Sequence, residues 1–400
     1  MSANLTSRER LLRAMRCQDV DHTPCAFMSF AALRGRCQDA YEVARQELAW
    51  GLDSWIFAPP TWRNERPNHP DLRGLPVRLP PDVTVELWLE DAPDDGCPVL
   101  HKTYHMPAGT LTTSVRKTAD WPHGDFVPLV DDYQVPRALK PLVTDEADVE
   151  VMRHLLILPT AEEIATFRGE LARARAFAAA HGVIVASGWG VGADMAGWLC
   201  GLEQLALLAV DRPALVEDLL AIIGRWNEAR MRAVLEAGVD LYIRRGWYES
   251  AQFWSPRLYR RFILPWLQRE AALAHAHGAL FGYIMTAGLT PMLDLIAESG
   301  VDVLLGLDPL QGGPDPLAAA RDRLAGRVCL WGGVNAALTV EAGSADDVAA
   351  AVGRALETMA GANGFILSPV DNVTRITRNV WRNVDVFIET WRRSVSLNGF

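Results

Sequence analysis

The 400-residue chain lacks the markers of several protein classes. No run approaches the ~18 apolar residues that would suggest a membrane-crossing helix. There is no Lys/Arg run or basic stripe. The 39 Lys and Arg against 49 Asp and Glu leave a net charge of −10 spread along the sequence. Nucleic acid and anionic membrane are therefore not expected partners. The opening Met1-Ser2-Ala3-Asn4-Leu5 has neither the basic head nor the apolar stretch of a secretory signal. The six cysteines (Cys17, Cys25, Cys37, Cys97, Cys200, Cys329) are scattered without CxxC spacing. That pattern reads as reduced thiols, not a disulfide framework or a zinc knot, and the expected location is cytoplasmic. Charged residues are only 22% and apolar ones 50%, enough to bury a large core.

What is present is a strict alternation. Short β-branched runs at 183–187, 239–243, 279–284, 301–305, 328–332 and 364–367 read as buried strands. Between them lie stretches with helical spacing, such as Leu215, Leu219, Ile222 and Trp226. Alternation of this kind demands a parallel sheet. Two further candidate strands, 24–28 and 54–57, bring the count to eight, which closes a barrel. The expected fold is α/β, a (β/α)8 TIM barrel forming one domain over 1–400, with a doubly wound open sheet as the structural rival. Residues 59–158 are rich in Pro, Asp and Trp, with antiparallel strands expected at 83–89 and 100–105. They read as an insertion over the barrel mouth.

Several segments then resemble a known family. The opening Ser7-Arg8-Glu9-Arg10-Leu11-Leu12-Arg13-Ala14-Met15 with Asp21-His22-Thr23-Pro24 is similar to the start of members of the uroporphyrinogen decarboxylase superfamily. So are Met106-Pro107-Ala108-Gly109-Thr110-Leu111, Glu236-Ala237-Gly238-Val239-Asp240, and Ser255-Pro256 with Tyr259, Phe262 and Pro265. Trp331-Gly332-Gly333-Val334-Asn335 and Gly364-Phe365-Ile366-Leu367-Ser368-Pro369 complete a likeness running nearly end to end. The resemblance implies a (β/α)8 barrel and either decarboxylation or corrinoid-linked methyl transfer.

Departures from the family pattern separate these branches. True decarboxylases resemble one another in an early Arg-Gln-Ala-Gly-Arg-Tyr segment; here the region reads Ser29-Phe30-Ala31-Ala32-Leu33-Arg34-Gly35-Arg36. A substrate with many carboxylates needs a strongly cationic cleft, because charge-assisted pairs offset desolvation. The thiol-methylating branch resembles a His-x-Cys with a later Cys, holding zinc. The matching place reads Tyr283-Ile284-Met285, with Ser368 near the later position. Tyr, Met and Ser are not a zinc set, so zinc is compatible only through other ligands and the metal site is left open. The resemblance then implies a corrinoid (cobalamin) on a separate partner protein, because the chain has no Asp-x-His-x-x-Gly cobalamin motif of its own.

Residues just past barrel strands point into the mouth and are the candidates for chemistry. Glu249, amid Trp247, Tyr248, Phe253 and Trp254, is a candidate general acid; the alternative is a loop glutamate pairing Arg244 or Arg245. Tyr283 can donate to an oxyanion or simply pack, with Met285 beside it as lining. Asp371 and Asn372 can orient a substrate or ligate a metal with Glu249, or cap the following helix. Asp308 and Asn335 also follow strands and serve as pocket walls. Trp189, Asp194 and Met195 lie in or just after Gly188-Trp189-Gly190-Val191-Gly192, whose spacing is not that of a dinucleotide loop. With Trp247, Tyr248, Gln252 and Trp254 they form the expected substrate wall, and the 14 tryptophans favour an aromatic substrate.

The leading expectation is a methyltransferase of the demethylase type. It would move a methyl group between a small aromatic oxygen compound and a corrinoid protein, with Glu249, Tyr283 and Asp371 converging on one cup. A decarboxylase of a small carboxylate substrate on the same barrel is the alternative and requires Arg34, Arg36, Arg244 and Arg245 to converge. A non-catalytic ligand-binding barrel is the third reading, and a homo-oligomer is compatible with all three.

Overall fold

The β-branched runs form staves of one curved parallel sheet in a computed structural model that describes residues 5–59, 75, 77–91, 96–311, 313 and 315–397. In chain order the strands are β1 (Trp55–Phe57), β2 (Thr84–Glu90), β3 (Val99–Met106), β4 (Gly109–Arg116), β5 (Ala138–Lys140) and β6 (Ile184–Gly190). They continue with β7 (Leu241–Arg245), β8 (Leu280–Ile284), β9 (Val303–Leu307), β10 (Cys329–Asn335) and β11 (Phe365–Val370). The order β1-β6-β7-β8-β9-β10-β11 is parallel at every step.

Among the described residues seven strands, not eight, make the sheet. The stave expected at 24–28 is reduced to one bridge, Cys25 to Leu367. Pro24 has no N–H to give a ladder. Its carbonyl instead accepts from Leu367 N at 2.9 Å, and Ala26 N donates to Leu367 O at 3.1 Å. On the other side Asp53 N, just before β1, donates to Cys25 O at 2.8 Å. This segment therefore closes the seam of a TIM-like barrel.

Alternation along each strand sorts side chains onto two faces. Ile184, Ala186, Leu241, Ile243, Leu280, Ile284, Val303, Leu305, Trp331 and Ile366 pack together with Leu11, Ala14 and Met15 inside the barrel. Tyr242, Phe281, Tyr283, Leu304, Leu330 and Leu367 join the much larger layer between strands and helices. Among the described residues no single helix is long and apolar enough to cross a membrane. The helix expected over 256–277 is two, Pro256–Phe262 and Leu264–Ala276, because Pro265 withholds an N–H at the junction.

The insertion folds as its own antiparallel sheet, β2-β3-β4-β5. It joins the barrel through apolar packing and through an ion pair at the mouth, where Asp132 accepts from Arg245 Nη2, at the end of β7, at 2.6 and 2.7 Å.

Candidate functional site

The mouth begins with an irregularity. Gly188 pairs with Ile243 and Gly190 with Arg244, so Trp189 is an extra residue in β6, held at φ 71°. A bulge re-aims the side chain it carries. Here it turns Trp189 against Phe57 (centroids 5.7 Å apart) and Trp247 (5.6 Å). Arg245 sits amid this wall, its guanidinium carbon 5.5, 4.6 and 4.3 Å from the rings of Trp189, Trp198 and Trp247. Three faces around one cation form a cation–π cage. The Trp247 indole N–H is buried and has no hydrogen-bond partner among the described residues.

Asp194 holds this wall from beneath. It is fully buried and accepts from the backbone N–H groups of Trp247 (3.2 Å) and Tyr248 (2.8 Å). Burial, reinforced by Glu249, pushes its carboxyl up to about 7, against the opposing pull of Arg245 at 3.7 Å.

Across the mouth, the ends of β9, β10 and β11 bring a second polar group together. Asp308 accepts from Asn335 Nδ2 at 2.6 Å, Gln311 Nε2 at 3.0 Å and Leu310 N at 2.8 Å. Its carboxyl is raised chiefly by burial. Asn335 also accepts from Leu338 N at 2.6 Å, so both walls are fixed. Asp371 follows β11 in a left-handed conformation, φ 70°. For a non-glycine residue that is a strained arrangement of the sort found at ligand-binding positions. Although its side chain reaches solvent, the surrounding protein and the nearby Asp308 charge raise its carboxyl.

Glu249 and Tyr283 do come together, but away from this rim. Arg244 and Tyr283 are register partners on β7 and β8, and their neighbours Ile243 and Ile284 face inward. Arg244 and Tyr283 therefore face the helices. Glu249 accepts from Arg244 Nη2 (2.7 Å), Ala193 N (2.7 Å) and Tyr283 OH (2.8 Å) and is fully buried. Arg244 Nη1 continues to Glu270 (2.9 Å), which accepts from Asn227 (3.1 Å). Gly192 is required beside it, since a Cβ there would lie 2.0 Å from Arg244 Nη2. Desolvation and the Glu249 charge hold the Tyr283 phenol far above its ordinary range. This network anchors the loop bearing Trp247. The expected convergence of Glu249, Tyr283 and Asp371 on one cup is corrected: only Asp371 lies at the open rim.

Other expected wall residues divide. Met195, Trp254 and Met285 are core, with Trp254 donating to Tyr248 O at 2.9 Å. Asn372 accepts from Ala31 N at 2.9 Å, so it caps the short helix Ala31–Arg34 and not the helix that follows. Gln252 is exposed and Tyr248 half-buried near the rim. The four arginines do not converge: Arg34 lines a cleft beside β1, Arg36 stacks on Trp381 at 3.4 Å, Arg244 faces the helices, and Arg245 is bound to Asp132. Arg245 in its cage, Asp132, and the Glu270–Asn227 support went unforeseen. Their signal is a polar residue amid a helix's apolar stripe (Asn227, Glu270), since such groups are rarely buried without partners.

A zinc ion does not fit the family position. Tyr283 and Met285 are buried, and Ser368 is used by Met28 N (2.9 Å) and Pro369 O (2.8 Å). Among the described residues no cluster of three His, Cys, Asp or Glu side chains is placed to hold a metal.

Comparison with known proteins adds the lineage. No curated protein matches the sequence. The structure is similar to a methyltransferase from Methanosarcina mazei, at 16% identity and TM-score 0.61, covering 98% of this chain and 99% of that one. A B12-independent methionine synthase from Shewanella is similar over 57% of this chain and 67% of its own, at 13% identity and TM-score 0.41. At 16% identity the likeness to the Methanosarcina protein is one of fold. Residues 127–393, however, match the family described as uroporphyrinogen decarboxylase (URO-D), well over half of the sequence, and to that family the chain belongs.

Proposed function

We propose that this protein is a methyltransferase that moves a methyl group between a small aromatic oxygen compound and the corrinoid of a separate protein. The carrying observation is the aromatic mouth: half-buried Trp189 and Trp247 beside Arg245, backed by buried Trp198, with the Trp247 indole N–H lacking a partner among the described residues. Flat apolar faces and one buried donor suit an aryl ring bearing an oxygen acceptor. The four arginines that the decarboxylase reading needs together are scattered, which disfavours that reading.

Breaking a methyl–oxygen bond leaves the electron pair on oxygen, which must gain a proton. Asp371, with its carboxyl raised, keeps a proton to higher pH than an ordinary aspartate and supplies it. Asp308, fixed by Asn335 and Gln311, is a positioning residue that keeps Asp371 protonated. The bound corrinoid would supply the nucleophile for the methyl carbon. The rim has room for a docking protein: Leu310, Leu338 and Ile376, on the segments after β9, β10 and β11, are 57, 63 and 70% exposed.

The test supplies cobalamin and a panel of methoxy aromatics, phenols and amines, following the spectral conversion between cob(I)alamin and methylcobalamin. Conversion that Trp247→Ala lowers by ~10–100-fold, the equivalent of ~1.5–3 kcal/mol of lost aromatic contact, is expected. No conversion across the panel, with CO₂ released from carboxylates instead, refutes it in favour of decarboxylation. Tight binding without turnover points to a ligand-binding barrel.

A further inference from the structure

β2 is the edge of the insertion's sheet, and among the described residues no strand pairs with its outer side. Its seven residues, Thr84-Val85-Glu86-Leu87-Trp88-Leu89-Glu90, are all exposed. Val85, Leu87 and Leu89 lie beside Tyr104, Lys102 and Leu100 of β3, so they extend the sheet's core-facing side past its cover. They are 36, 38 and 42% exposed. The opposite face is occupied: Trp88 stacks on His101 at 4.8 Å, and Glu90 and Glu86 reach His101 and His105. A long, uncharged-faced edge is a template for another strand, and proteins ordinarily blunt such an edge.

We infer that a second copy of this chain covers it, β2 pairing antiparallel with β2 about a two-fold axis at Leu87. The sequence of the strand selects that arrangement. Centred on Leu87, all seven residues pair: Leu87 meets Leu87, Val85 meets Leu89, Glu86 meets Trp88, and Thr84 meets Glu90. No two like charges oppose each other, and the apolar stripe continues from one copy into the next. Centring on Glu86 sets Glu86 against itself, and centring on Trp88 sets Glu86 against Glu90; like charges directly opposite destabilise a pair. A two-fold axis between residues slips the register by one and places Leu87 beside Trp88, exchanging the faces. The contact is isologous, as a closed dimer requires.

Sedimentation velocity of the full chain and disulfide trapping test this together. The parent chain should sediment as a dimer, and Leu87→Lys, which sets two ammonium groups face to face, as a monomer. Under mild oxidation Leu87→Cys alone should form a covalent dimer, above the background of the parent's own thiols. Val85→Cys and Leu89→Cys should each fail alone and cross-link when mixed. Because all three positions are exposed, the variants should fold, which their circular dichroism and melting temperature will verify. A parent chain that stays monomeric at every concentration overturns the inference, as does a dimer that survives Leu87→Lys or cross-links most readily through residue 85. If the parent is monomeric and Leu87→Lys abolishes methyl transfer, the edge serves a different protein and the inference is likewise refuted.

Discussion

Replacing Arg244 by Met removes a cation that bridges two buried carboxylates, Glu249 and Glu270. Deleting one partner of a buried ionic group typically costs ~3–5 kcal/mol, because the other charge is left without compensation. Unfolding entropy of ~2.1 cal/mol/K per residue over 400 residues gives roughly 0.8 kcal/mol/K, so the loss should lower the melting temperature by about 5 °C. Acid should partly rescue the variant. Burial already raises the Glu270 carboxyl with Arg244 in place, and without the arginine it rises further. A carboxyl whose folded pKa lies above its unfolded value binds more protons in the folded state. Stability therefore falls as pH climbs from the unfolded to the folded value, and returns as pH drops. The deficit should be largest near pH 8 and smaller near pH 5.5, measured by calorimetry or tryptophan fluorescence against the parent. Adding Glu249→Gln and Glu270→Gln should recover much of the loss. A deficit below ~1 kcal/mol, equal at both pH values, would falsify the description of these three groups as a buried ionic network.

Asp308→Asn removes the charge that helps raise the Asp371 carboxyl. Methyl transfer relying on protonated Asp371 should then lose its rate at lower pH, visible as an acid-ward move of the alkaline limb of kcat/KM. An unmoved limb assigns the proton to another group. Glu47 is buried against Ser54, and burial lifts its carboxyl to about 8. Its folded pKa is raised, so the ionisation penalty accumulates from the unfolded value near 4.5 up to about 8 and then levels off. Glu47→Gln escapes that penalty. Its melting temperature relative to the parent should climb between about pH 5 and 8 and plateau above; a constant difference would contradict the protonated state of Glu47.

The barrel was legible because helices and strands alternate with different periods, and turn residues such as Gly238 mark the boundaries. The eighth stave was overcounted: five apolar letters at 24–28 look like a strand, yet pairing there depends on a seam that only the closed sheet creates. The site was legible only in part. Trp247, Asp308 and Asp371 follow strands, and Trp189 and Asn335 lie in the last residues of β6 and β10, which is where that rule looks. Glu249, past β7, and Tyr283, near the end of β8, were chosen on the same grounds but face the helices. In a parallel barrel both faces of a strand are buried, so apolar content does not reveal which parity points inward. The salt link from Arg245 to Asp132 joins residues far apart in sequence, and nothing in either neighbourhood announces it.

The register between β9 and β10 shifts by one at the end of the strands, Trp331 meeting Leu305 but Gly332 meeting Leu307. The spare residue is Gly306, at φ 95°, where a Cβ would come within 2.7 Å of the Thr286 methyl. Simple counting from Leu305 would send Leu307 toward the lumen and Asp308 toward the helices. That single unit of slack exchanges the two, so the rim carries a carboxylate where it would otherwise carry a hydrocarbon. Whether Asp308 faces this opening thus turns on one residue that has no side chain at all.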